Sequence, residues 1–155
     1  MVKIVHGHRI GKEGHLSLAC SAVLFDSARQ RILLTRRQDD GRWCLPGGQM
    51  EQGEDVAEAC AREVWEETGL RVHVGKLIGV YSSPHRLLEY PNGNRYQVIG
   101  LCFVAEQDGG VLTQSDETTE FGYFTLAEIE ALDVHDHHRE RIIDAWADAE
   151  RAFVR

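Results

Sequence analysis

No apolar run in this chain approaches the roughly 20 residues that a membrane-crossing helix needs. Its opening, MVKIVHGHRI, lacks the sustained apolar segment of a secretory leader. Neither insertion nor export is expected, and the cytoplasm is the expected location. Cysteine is sparse: Cys20, Cys44, Cys60 and Cys102 form no C-x-x-C pair and no metal-ligand spacing. They read as small core residues in a reducing compartment. Positive charge is also short, with 17 Lys and Arg against 25 Asp and Glu and a formal charge of −8. That balance argues against nonspecific attraction to nucleic acid or to an anionic membrane. An anionic ligand would need local Arg, Lys or a metal ion. Repeats, low-complexity tracts and linkers are missing too, so residues 1–155 fit one domain with an irregular segment over 1–15, in which Val2-Lys3-Ile4-Val5 could form a short edge strand.

What the chain does have is glutamate concentrated between Gly47 and Leu70, GGQMEQGEDVAEACAREVWEETGL. At 100° per residue, Glu63, Glu66 and Glu67 share one arc of a helix, beside a stripe of Val56, Cys60 and Val64. The carboxylates should therefore line a crevice at the edge of the core. At roughly 5–6 Å and an effective dielectric of about 20, each like-charge pair costs about 3 kcal/mol before water screens it. A cation removes that strain. Hard oxygen donors with no His or Cys among them suit Mg²⁺ or Mn²⁺ better than zinc. The helix is expected to begin near Gly53-Glu54-Asp55 and to end at Gly69. Arg62 has Glu58 as a local partner at i−4.

Read as a pattern, the stretch is Gly48, five residues, Glu54, seven residues, then Arg62-Glu63-Val64-Trp65-Glu66-Glu67-Thr68-Gly69-Leu70. It resembles the Nudix box, G-x5-E-x7-R-E-U-x-E-E-x-G-U with U aliphatic, and meets every fixed position. The plain alternative is a Glu-rich surface helix, against which nine specified positions at set spacing weigh heavily. The likeness extends upstream through Trp43-Cys44-Leu45-Pro46-Gly47-Gly48, which is similar to the W-x-L-P-G-G segment of Nudix proteins.

The resemblance implies an α/β/α sandwich with a mixed sheet, the Nudix helix on one side and a C-terminal helix. It also implies a Mg²⁺-dependent pyrophosphohydrolase, with Mn²⁺ as a substitute. Glu63 and Glu67 would be the principal metal ligands, and Glu66 a further ligand or the base for water. The Gly48 carbonyl would complete the shell, and a contact from Arg62 to Glu54 would tie the loop to the helix. A further acid outside the box often serves as ligand or base in this family. Glu117 is the first candidate and Glu120 the second, both in Ser115-Asp116-Glu117-Thr118-Thr119-Glu120.

Elsewhere, Leu16–Phe25 and Arg31–Thr35 read as a hairpin, with Asp26-Ser27 as its turn. Leu70 to Ser83 should hold one or two strands. Asn92-Gly93 marks a second hairpin, whose apolar strand, Tyr96 to Ala105, suits the centre of a sheet. Glu120 to Phe124 reads as a strand, Thr125 as an N-cap, and His135 to Phe153 as an amphipathic helix with Ile142, Ile143, Ala145, Trp146 and Ala149 inward. His135, His137 and His138 are expected at its exposed start. For substrate, Arg36, Arg37 and Arg95 are candidate phosphate ligands, and Trp43, Tyr81 and Tyr96 could stack on a base.

The expected partner is a small nucleotide: a nucleotide sugar such as ADP-ribose, a nucleoside triphosphate or a dinucleoside polyphosphate. No nucleic acid or membrane partner is expected, and a homodimer stays open. The competing reading is a nucleotide-sensing module without turnover.

Overall fold

In the computed structural model, which describes residues 1–155, secondary structure begins at once. Strand β1 (Lys3–His6) falls where a short edge strand is open over residues 2–5, and a 3₁₀ turn at Ile10–Glu13 adds order to a segment otherwise expected to be irregular. β1 is ordered because it pairs with a strand far along the chain, a partner that local sequence does not announce. Next come β2 (His15–Val23), β3 (Ile32–Arg37), β4 (Trp43–Cys44) and β5 (Gly47–Gln49). Helix α1 (Val56–Thr68) follows, then β6 (Leu70–Tyr81), β7 (Arg86–Glu89), β8 (Arg95–Gly110) and β9 (Thr118–Phe124). The chain finishes with α2 (Leu126–Ala131), α3 (Asp136–Ala147) and β10 (Phe153–Val154).

β8 is the spine of the larger sheet. β2 runs parallel along one side of it, from His15 opposite Tyr96 to Val23 opposite Val104. β6 and β7 lie antiparallel to it on the other side, and β1 pairs with β7. β5 joins β2 at the opposite edge, with Cys20 facing Gly48 and Ser21 facing Gly47. β3, β4 and β9 form a separate three-stranded sheet. The expected β2–β3 hairpin is therefore corrected. The two strands meet only at their base, where Phe25 bridges Ile32 and the Leu33 N–H bonds the Leu24 carbonyl. Beyond that they diverge into different sheets, because each finds a longer partner elsewhere.

Alternating residues of the sheets feed two cores. Ala22, Leu24, Leu33 and Phe103 pack with Ala59, Cys60 and Val64 of α1. Val23, Leu34, Cys102 and Tyr81 pack with Ile129 of α2 and Ile142 and Ala145 of α3. Helices thus cover opposite faces of the strands, the α/β/α sandwich expected. Burying Val64 alone contributes about 1.5–3 kcal/mol, which fixes the polar side of α1 outward over β5.

Both ends of α1 have local causes. Asp55 accepts the Glu58 N–H at 2.8 Å while Glu58 accepts the Asp55 N–H at 2.9 Å, a reciprocal cap. Glu58 is thereby committed to the cap and does not pair with Arg62. Gly69 closes the helix in the left-handed region (φ 72°), where a side chain would be strained. α2 carries the same capping box through Thr125 and Glu128.

The last helix is shorter than expected, ending at Ala147. Asp148 then adopts a left-handed conformation, and the chain returns as β10 to pair with Gly79 and Val80 of β6. Ile143 faces solvent, and Arg141 and Asp144 occupy the inward face instead.

Candidate active site

The box loop and α1 are held together by one arginine. Arg62 donates through Nε to Glu54 at 2.6 Å, through Nη2 to Glu54 at 3.1 Å and to the Gln49 carbonyl at 2.9 Å, and through Nη1 to Glu63 and Glu66. Glu54 also accepts the Glu51 N–H at 2.9 Å. These bonds keep the Glu54 carboxyl below its usual range. The contact from Arg62 to Glu54 that the resemblance implies is present in this geometry.

Glu63 and Glu67 lie one turn apart and reach the two box glycines. Glu67 Oε2 accepts the Gly47 N–H at 3.0 Å. A Cβ placed on Gly48 would stand 2.5 Å from the Glu63 carboxyl, so only glycine leaves that carboxylate its position. Glu67 is 9% exposed, and its pKa is raised to about 8 by burial first, then by the nearby charges of Glu63 and Glu117. Burial also raises Glu63, against the Arg62 hydrogen bond. Glu66 differs: its side chain is 55% exposed and leans back onto Arg62 at 3.1 Å.

Glu67 and Glu117 line one cleft of about 500 Å³ with Thr35, Arg37, Asp39 and Cys44. Glu117 is brought there by a loop whose backbone is tied down. Its carbonyl accepts the Gln38 N–H at 2.9 Å, and its N–H donates to the Ser115 hydroxyl at 3.3 Å. Arg37 chelates Asp39 at 2.9 and 2.8 Å and keeps a face on the cleft.

No three His, Cys, Asp or Glu side chains converge as a ready-made cage. The donors nevertheless fit a hard divalent cation, since buried Glu67 is strained as a carboxylate beside two others and a cation relieves that strain. Mg²⁺ leaves much of its shell to water and substrate, so two carboxylates can suffice.

Several expected ligands lie elsewhere. Trp43 is only 8% exposed and meets the Phe124 ring edge-on at 4.9 Å, so it is core and not a stacking platform. Tyr81 is likewise buried, its hydroxyl donating to Asp144 at 2.9 Å. Arg36 is held by the Gly41 carbonyl at 2.8 Å and by Glu120 at 2.7 Å, which also draws Glu120 away from a role in the cleft. Arg95 pairs with Glu89 on its own hairpin and with Glu13 at the end of the 3₁₀ turn. Tyr96 packs edge-on against Tyr90 at 5.6 Å, and both line a second pocket beside Gly47 and Gly48.

The histidines at the start of α3 are not freely exposed: His135 is buried, and His137 and His138 are partly buried. The His135 Nε2 pairs with Asp40 at 2.9 Å, and His138 Nδ1 accepts the Leu45 N–H at 3.3 Å. His137 is pushed down to about 2, by burial first and then by the Arg141 and Arg86 charges. They sit inward because α3 docks its first turn on the Trp43–Leu45 segment. Arg86 and Arg141, which also line the second pocket, escape a reading of the sequence. Arg141 at i−4 from Ala145 shares the apolar face of α3, an interruption that could have drawn notice.

Over residues 15–146 the chain matches the family described as NUDIX domain, and it belongs to that family. It is 41% identical over 112 residues to an ADP-ribose pyrophosphatase of Methanocaldococcus jannaschii, covering 70% of this chain and 62% of that protein. It is 40% identical over 99 residues to a MutT-like protein of Streptomyces ambofaciens, covering 64% of this chain and 58% of the relative. The chain thus spans about three fifths of the length of these relatives. The crystal structure of a MutT protein from Methanosarcina mazei Go1 shares the fold, with a TM-score of 0.72 at 23% identity over 90% of this chain and 99% of the other.

Proposed function

We propose that this chain hydrolyses the phosphoanhydride linkage of a nucleoside diphosphate joined to another group, using Mg²⁺, with Mn²⁺ as a substitute. The observation that carries this reading is the placement of Glu63 and Glu67 against Gly48 and Gly47, with Glu117 across the same cleft. Glu63 and Glu67 would hold the ion, with Glu66 swinging in from Arg62 and the Gly48 carbonyl adding to the shell. The ion, when bound, would offset phosphate charge and acidify water.

The chain's own residues do the rest. Arg62 and Glu54 fix the loop so that the carboxylates keep their spacing. Glu117 takes the proton of the attacking water on its carboxylate, since it lines the cleft beside Glu67 and its side chain is in no ion pair. Arg37 faces the phosphates, while its Asp39 chelate holds the guanidinium in place. The chain acts as one domain, and the similarity to an ADP-ribose pyrophosphatase favours a nucleotide sugar among possible substrates.

A panel of nucleotide sugars, nucleoside triphosphates and dinucleoside polyphosphates, incubated with Mg²⁺ or Mn²⁺ and scored by product mass, tests this. A nucleoside monophosphate with a second phosphorylated product supports hydrolysis. Saturable nucleotide binding with no product from any member would instead make the chain a sensor.

A further inference from the structure

Beside the box glycines lies a second pocket, of about 170 Å³, which the carboxylate chemistry does not use. Its most unusual occupant is Arg141, 5% exposed, whose Nε has no hydrogen-bond partner. The guanidinium donates through Nη1 to Ser21 Oγ at 3.3 Å and lies over the Tyr81 ring at 5.2 Å. No carboxylate pairs with it: Asp144, on the same helix, is taken by Tyr81 and by Arg155 at 2.9 and 3.0 Å. A buried, unpaired cation is costly, and removing it from water is repaid only by an anion or by further acceptors.

Arg86 lines the same pocket, and burial and the Arg141 charge both disfavour its protonated form. Two guanidinium groups therefore repel each other across a space that contains no acid. His137 and His138 stand with them, held neutral and so able to donate one ring N–H each. The pocket touches the box directly. Ser21, which receives Arg141, faces Gly47 across the β2–β5 ladder, and Gly47 donates to Glu67.

We propose that Arg141 and Arg86 form an anion subsite for a phosphate-class oxyanion, the group that a nucleotide substrate carries outside the bond to be cleaved. Planar guanidinium forks match phosphate oxygens, and charge-assisted bonds to them are strong. This rests on the hydrolase reading and deepens it: the subsite favours a nucleoside triphosphate or dinucleoside polyphosphate, which carries a phosphate beyond the cleaved linkage, over the plain nucleotide sugar to which the similarity alone points. The pocket itself needs no metal.

The test uses the whole chain, stripped of metal with EDTA and titrated calorimetrically with inorganic phosphate. Saturable binding is expected, weakened about tenfold or more in Arg141→Met and in Arg86→Gln, and retained in Glu67→Gln. Arg141→Met keeps the buried volume, and the partly buried Arg86 offers a second variant should the first not fold. Phosphate that fails to bind, or binds equally to wild type and a folded variant of each arginine, overturns the subsite.

Two nucleotides differing by one phosphate outside the cleaved linkage then separate the sources. A lower KM for the longer one, abolished by Arg86→Gln at unchanged kcat, identifies the substrate's phosphate. Equal KM values with phosphate binding intact identify free phosphate as the occupant. Phosphate binding with no turnover of any nucleotide leaves the subsite standing and removes the hydrolase reading instead.

Discussion

Glu67 Oε2 accepts the backbone N–H of Gly47 at 3.0 Å, joining the last turn of α1 to the glycine turn that precedes it by twenty residues. The bond fixes where the carboxylate points, but it does not satisfy the charge. The Gly47 N–H and the Arg37 charge favour the ionised form, while burial, Glu63 and Glu117 oppose it and prevail. The site therefore holds a carboxyl group that is ready to ionise once a cation arrives.

A pH dependence follows for the metal-free protein. The pKa of Glu67 is raised from 4.5 to about 8, so the folded state binds more protons than the unfolded state between those values. Its contribution is fully present below pH 4.5 and is lost as pH rises through about 8, at most about 5 kcal/mol before local relaxation reduces it. Urea unfolding in EDTA at pH 6 and pH 8 measures this. Glu67→Gln should be less sensitive to that change than wild type, and equal pH slopes would contradict the assignment.

Gly48→Ala isolates the position of Glu63. The new methyl would fall 2.5 Å from that carboxyl, which is the end of a flexible side chain and can swing aside. Folding should survive with a small loss, whereas Mg²⁺ affinity and turnover should both drop by about tenfold or more, the equivalent of one lost ligand contact. Circular dichroism and a Mg²⁺ activation curve separate the two effects. An unchanged activation curve would show that Glu63 does not need that space.

Tyr81→Phe distinguishes core from ligand. Removing the hydroxyl takes one donor from buried Asp144, which keeps both bonds to Arg155. The cost should be about 1–2 kcal/mol of stability, or a Tm lower by a few degrees, with KM unchanged. A selective rise in KM at unchanged Tm would return Tyr81 to the substrate.

The helix that carries the box glutamates was legible because its instructions are local. Asp55 and Glu58 cap it, Gly69 ends it, and the i, i+3, i+4 spacing of Glu63, Glu66 and Glu67 sets their arc. The β7–β8 hairpin was legible for the same reason, with Gly93 in the left-handed region of its turn (φ 85°). What the sequence hid depends on distant partners. β2 found β8 and β5 rather than β3, and β1 found β7. Trp43 looked available for stacking until α2 and β9 closed over it, and the three histidines looked solvated until α3 docked by its first turn. Arg141 resembled an ordinary helix charge, since nothing nearby in sequence says that its acid, Asp144, is spoken for by Tyr81 and Arg155.

Everything proposed for this site requires that Glu63 and Glu67 together take up a divalent cation. Calorimetric titration of Mg²⁺ at pH 7, repeated in two buffers of different ionisation enthalpy, tests it most directly. Wild type should bind and release close to one proton per ion, because Glu67 enters protonated, and should gain about 2.7 kcal/mol of stability at a hundredfold excess over Kd. Glu67→Gln should release none. Absence of binding at millimolar Mg²⁺ and Mn²⁺, or binding with equal proton release in that variant, would contradict it.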